Sequence, residues 1–107
     1  MSFLSSIFGG GSFASEAEIK EIVKGDHLIL DVRSEQEFAQ GHITGAVNVP
    51  VHTVAAYLKD IKEQNKKVIL YCRSGARASS ALSILQNGGV DAYNAGGIMN
   101  LHSIIGQ

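Results

Sequence analysis

The single cysteine of this chain, Cys72, is followed at once by Arg73, Ser74, Gly75, Ala76 and Arg77. A thiol becomes a strong nucleophile only as the thiolate, and nearby arginine charge favours that form. Gly75 permits a backbone turn closed to other residues, so successive N–H groups of a short loop can converge on one anionic centre. Ser74 adds a hydroxyl donor, and Arg73 and Arg77 suit the charged part of a small anionic substrate. These residue types in this order predict a cysteine nucleophile set in a cradle of inward-facing amides. A free cysteine is also among the most buried residue types and is often inert filler. Its place here, where an apolar run ends and a helical one begins, argues for chemistry.

The elements that must position this loop are visible in the periodicity. Val68-Ile69-Leu70-Tyr71 is a continuous apolar run, as expected of a strand buried on both faces of a parallel sheet. Ala78, Ala81, Leu82 and Leu85 then give one apolar helical face, ended by Gly88-Gly89. Cys72 is thus expected at the positive end of a helix dipole. Upstream, Ser15 with Glu18 and Ser34 with Glu37 form S-x-x-E capping boxes, which predict helices ending at Gly25 and by Gly41. Leu28-Ile29-Leu30-Asp31-Val32 reads as another buried strand, and Ala46-Val47-Asn48-Val49 as a short one closed by Pro50. Val54, Leu58 and Ile61 recur at helical intervals; a last strand is expected around Val90 to Tyr93, and a weaker helix from Gly97 onward. A further short strand is expected through Phe13. Strands alternating with helices predict an open parallel α/β sheet with helices on both faces, and ligands bind such sheets at the carboxyl ends of the strands.

With 107 residues, 45% of them hydrophobic, the chain has room for one core and not for two domains. Residues 13–107 are read as that domain and residues 1–12 as a tail, in which Phe3, Leu4, Ile7 and Phe8 would share one face of a short helix before the linker Gly9-Gly10-Gly11. The tail is expected to fray or fold back on its own domain, and it is too short to span a bilayer. It is also the only contact candidate the sequence offers for an oligomer, whose state stays open. The 9 Lys+Arg against 10 Asp+Glu lack the basic excess of a nucleic-acid binder. Seven of the ten acids lie between Glu16 and Glu37, whereas Gln64 to Val90 carries Lys66, Lys67, Arg73 and Arg77 and no acid, a bias that suits a small anion. One cysteine excludes an internal disulfide or a CxxC site and fits a reducing, cytoplasmic setting. His27, His42, His52 and His102 lack the spacing of metal ligands, and neither a Walker nor a GxGxxG sequence is present, so no metal or nucleotide cofactor is expected.

The loop Cys72-Arg73-Ser74-Gly75-Ala76-Arg77 resembles the active-site loop of single-domain rhodaneses. Asp31-Val32-Arg33 with Glu37-Phe38, the stretch Gly41 to Pro50 and the turn Ala95-Gly96-Gly97 are similar to the family's other motifs, in the same order. The tryptophan that often follows that turn is missing. This resemblance implies a rhodanese-like three-layer α/β/α fold with a five-stranded parallel sheet and the reactive cysteine after the fourth strand. It also implies ping-pong transfer without a cofactor: a donor such as thiosulfate loads Cys72 with a sulfane sulfur, and cyanide, a thiol or a protein cysteine removes it. By the same resemblance Arg73 to Arg77 line the substrate site, and Asp31 and Arg33 support the loop, although a surface ion pair at a strand end describes those two equally well. Two other readings compete. Cysteine-dependent phosphatases and arsenate reductases of related fold have five residues between Cys and Arg, whereas Cys72 and Arg77 have four, so the cradle is expected to be too small for a tetrahedral phosphate. A non-catalytic binding module of this fold usually lacks the cysteine that is present here.

Overall fold

A computed structural model describes residues 13–106. The chain runs α1 (Glu16–Lys24), β1 (His27–Asp31), α2 (Glu35–Ala39), β2 (Val47–Asn48), a 3-10 segment (Val51–Tyr57) continued by α3 (Leu58–Glu63), β3 (Lys67–Cys72), α4 (Ala76–Asn87), β4 (Ala92–Gly97) and α5 (Ile98–Ile105). Both capping boxes form: Ser15 and Ser34 each accept a backbone N–H three residues on, and Glu18 and Glu37 reach back to the cap N–H. Each reciprocal pair satisfies N–H groups that a helix start leaves without partners.

All strand pairs are parallel, in the order β2-β1-β3-β4. Successive residues of a strand point to opposite faces, and both faces here are covered. Leu30, Val68, Leu70 and Cys72 join Val54, Ala81, Leu82 and Leu85 on one side. Ile29, Ile69 and Tyr71 join Ile19, Ile22 and Leu101 on the other. The product is a three-layer α/β/α arrangement, and it explains why the runs Leu28 to Leu30 of β1 and Val68 to Cys72 of β3 are apolar on both faces.

Four strands are present among the described residues where five were expected. Near Phe13 the Ala14 N–H bonds the Asn94 carbonyl at 2.8 Å, but Ser15 is already the N-cap of α1. The chain turns away before a ladder can grow, so Cys72 closes the third strand rather than the fourth. β4 also lies later than Val90 to Tyr93. Its pairing with β3 passes Leu70↔Asn94, shifts register, and resumes at Cys72↔Gly97, which draws Gly96 and Gly97 to the end of the cysteine strand. Without a tryptophan, α5 docks through Leu101, which is fully buried. The apolar face of Phe3 to Phe8 and its glycine linker lie outside the described residues. No helix among the described residues is long and apolar enough to cross a membrane.

Candidate active site

β3 is buried from Val68 to Cys72 and carries the thiol to the carboxyl end of the sheet, where the residues 73–75 turn directly into α4. Gly75 is the N-cap of this 12-residue helix and has φ +109°, in the region that favours glycine. The first helical bond runs from the Ser79 N–H to the Gly75 carbonyl at 2.9 Å. The N–H groups of Ala76, Arg77 and Ala78 precede it and have no intrahelical acceptor. Two loop amides face the sulfur: Gly75 N–H at 2.9 Å and Ala78 N–H at 3.4 Å from Cys72 Sγ. Both belong to the start of α4, the positive end of its dipole.

Only 1% of Cys72 is exposed, whereas Arg73, Ser74 and Ala76 of the loop that follows it are exposed. Among the described residues, the side chains of Arg73 and Ser74 have no polar partner. Arg77 is different. Its Nη1 and Nη2 donate to Glu37 Oε1 and Oε2 at 2.6 and 3.0 Å, a bidentate pair that presents the arginine beside the loop in a fixed direction. This hydrogen bond, followed by the backbone N–H of Ser34, lowers the Glu37 carboxyl from an ordinary 4.5 to about 2.

Asp31 and Arg33 do not form a surface pair: they are 0% and 7% exposed. Arg33 Nη2 donates to Asp31 Oδ2 and to the Gly41 carbonyl, both at 2.6 Å, and Nε lies 3.0 Å from both carboxylate oxygens. The guanidinium also stands 5.6 Å from the centre of the Tyr71 ring, whose hydroxyl accepts the Ile43 N–H at 2.9 Å. Burial first, and then the neighbouring Asp31, push the Tyr71 hydroxyl upward, keeping it neutral. The network ties the stretch Gly41 to Ile43 to the residue before Cys72 without touching the sulfur. His42 bonds the Phe38 carbonyl through Nδ1 at 3.0 Å and stacks on the Phe38 ring.

Two contacts at this end of the sheet escape the sequence reading. Glu37 is legible in the α2 cap and in the family-like stretch with Phe38, but not as the partner of the distant Arg77. Asn94 carries a weaker signal, one amide inside an otherwise apolar strand; it is buried and bonds Gly75, Ser79 and Gly96. Two glycines allow close approach here. A Cβ on Gly75 would lie 2.5 Å from Phe13 Cζ, and one on Gly96 would lie 3.2 Å from Phe13 Cδ2, so the Phe13 ring rests on bare backbone.

A model of the rhodanese-like domain family matches residues 15–103. A sulfurtransferase of Allochromatium vinosum is 38% identical over 64 residues, which is 60% of this chain and 59% of that protein. A tRNA uridine(34) hydroxylase of Buchnera aphidicola is 31% identical over 99 residues, 83% of this chain and 31% of that protein. The chain therefore spans less than two thirds of either curated relative. The solved structure of an E. coli rhodanese with anions superposes with a TM-score of 0.65 at 30% identity, covering 70% of this chain and 91% of that one. Reaching from the first capping box into α5, the matched span takes in the whole sheet and the cysteine loop, and the chain belongs to the rhodanese-like domain family.

Proposed function

We propose that this chain is a sulfurtransferase that carries a sulfane sulfur on Cys72 from thiosulfate or a similar anionic donor to a thiophilic acceptor. The observation that carries this reading is the pair of amides, Gly75 N–H and Ala78 N–H, directed at Sγ from the start of α4. In the first step the Cys72 thiolate attacks the outer sulfur of thiosulfate; an Sγ–S bond forms, the donor's S–S bond breaks, and sulfite leaves with the electron pair. The product is an anionic persulfide. Its outer sulfur suits the N–H groups of Ala76 and Arg77, which have no acceptor within the helix. In the second step cyanide, a thiol or a protein cysteine attacks that sulfur, and the electron pair of the Sγ–S bond returns to Cys72. Both steps balance in charge without a metal or organic cofactor.

Arg73 and Ser74, exposed at the loop, are assigned to the oxyanion end of the donor, with the Arg77 charge behind them. Asp31 and Arg33 are assigned to support, through Tyr71. The lone thiol fits a reducing compartment such as the cytoplasm. The relative named tRNA uridine(34) hydroxylase extends well beyond the matched span, and a chain with a net charge of -1 offers little to draw RNA. Intact mass spectrometry after mixing with thiosulfate tests the reading. One added sulfur on Cys72, removed by cyanide, is expected; a mass unchanged by thiosulfate and by polysulfide would overturn it.

A further inference from the structure

Asn94 sits inside β4 with 1% of its surface exposed, and the transfer steps above give it no part. Burying a side-chain amide is costly unless its donors and acceptor are used. Here they are spread over three segments. Oδ1 accepts the Gly96 N–H at 2.7 Å, while Nδ2 donates to the Gly75 carbonyl at 3.3 Å and to Ser79 Oγ at 3.0 Å. One side chain thus ties the end of β4 to the cysteine loop and to the first turns of α4.

Gly75 is the residue in which such a tie has consequences. At φ +109° a glycine has access to backbone orientations of either hand, and only some of them turn its N–H toward Cys72. The observed one places that N–H 2.9 Å from Sγ. Asn94 holds the carbonyl of this same residue, and the Phe13 ring occupies the space that a side chain would need. We infer that Asn94 is a positioning residue for sulfur transfer: its amide holds Gly75 in the conformation that directs a backbone N–H at the cysteine sulfur. The inference rests on the sulfurtransferase reading for its effect on turnover, but not for its effect on the reactivity of the thiol.

Asn94→Asp is the informative variant, because it keeps size and the acceptor for the Gly96 N–H while removing both donors. It is expected to unfold cooperatively, to keep KM for thiosulfate within about twofold, and to lose about tenfold in kcat. Alkylation of Cys72 by iodoacetamide at neutral pH should slow by a similar factor. Unchanged kcat and alkylation, or a change in KM alone, would overturn the inference. If the wild type takes no sulfur from any donor but Asn94→Asp still slows alkylation, the transferase reading fails and the positioning role stands. Should the variant not fold, the wild type decides: the side-chain amide proton resonances of Asn94 should move when Cys72 is alkylated, and resonances that stay in place would overturn the inference.

Discussion

Arg77 and Glu37 meet as a fork, Nη1 on Oε1 at 2.6 Å and Nη2 on Oε2 at 3.0 Å, across a sequence separation of 40. The same Oε1 accepts the Ser34 N–H at 3.0 Å and the Ser34 hydroxyl at 3.1 Å. One carboxylate therefore closes the cap of α2 and anchors the first turn of α4, the helix that follows the Cys72 loop. It sets the direction of the Arg77 charge, which the proposed function places behind the donor.

The pH dependence of stability follows from this pair. The folded Glu37 carboxyl lies at about 2 against an ordinary 4.5, a lowered value, so its contribution is complete above the ordinary value and is lost as the pH falls through the lowered one. The Tm difference between wild type and Glu37→Gln should be positive near neutral pH and shrink steadily below about 4.5. A difference that does not change with pH would mean that Arg77 does nothing for this carboxyl.

Arginine substitutions should separate the two loop cations. Arg77→Ala removes a partly exposed pair and is expected to cost about 0.5–1 kcal/mol in denaturant unfolding, with a modest rise in KM for thiosulfate. Arg73→Ala breaks no pair among the described residues and should leave stability nearly unchanged while raising KM more. Steady-state kinetics with thiosulfate check this order; equal KM values for both variants and wild type would remove both arginines from donor binding.

Cys72→Ser should abolish transfer and leave the fold intact. The hydroxyl nearly matches the thiol in size and can still accept the Gly75 and Ala78 N–H groups, but it cannot form a persulfide. Turnover that survives in pure Cys72→Ser would refute the assignment, and a thermal melt shows whether the fold is kept.

Gly75→Ala should reduce both stability and transfer. The position has φ +109°, and the added Cβ would lie 2.5 Å from Phe13 Cζ. A strained backbone site of this kind costs about 1–3 kcal/mol. Phe13→Ala in the Gly75→Ala background should recover the part due to the clash and not the part due to φ, as urea unfolding of the pair would show.

Asp31→Ala leaves Arg33 buried without its counter-ion and should cost about 3–5 kcal/mol, the range for removing one partner of a buried pair. Urea unfolding measures it. A loss below about 1 kcal/mol would place the pair among surface ion pairs after all.

What the sequence determined by itself was local. Ser15 with Glu18 and Ser34 with Glu37 closed their capping boxes because each bond spans three residues. The apolar run Val68 to Tyr71 became a central strand because both of its faces needed cover. Cys72, Arg73, Ser74, Gly75, Ala76 and Arg77 fell together at the strand-to-helix turn because they are consecutive. Tertiary structure decided what no short window contains. It chose Arg77 as the second partner of Glu37, buried the pair of Asp31 and Arg33 beneath the stretch Gly41 to Ile43, and set Asn94 against Gly75. It also ended the pairing beside β4 after Ala14, because Ser15 had already started α1. A hydrogen bond to a near neighbour is governed by residue type and spacing, whereas one between distant residues forms only after packing both faces of the sheet has fixed which strand ends lie side by side.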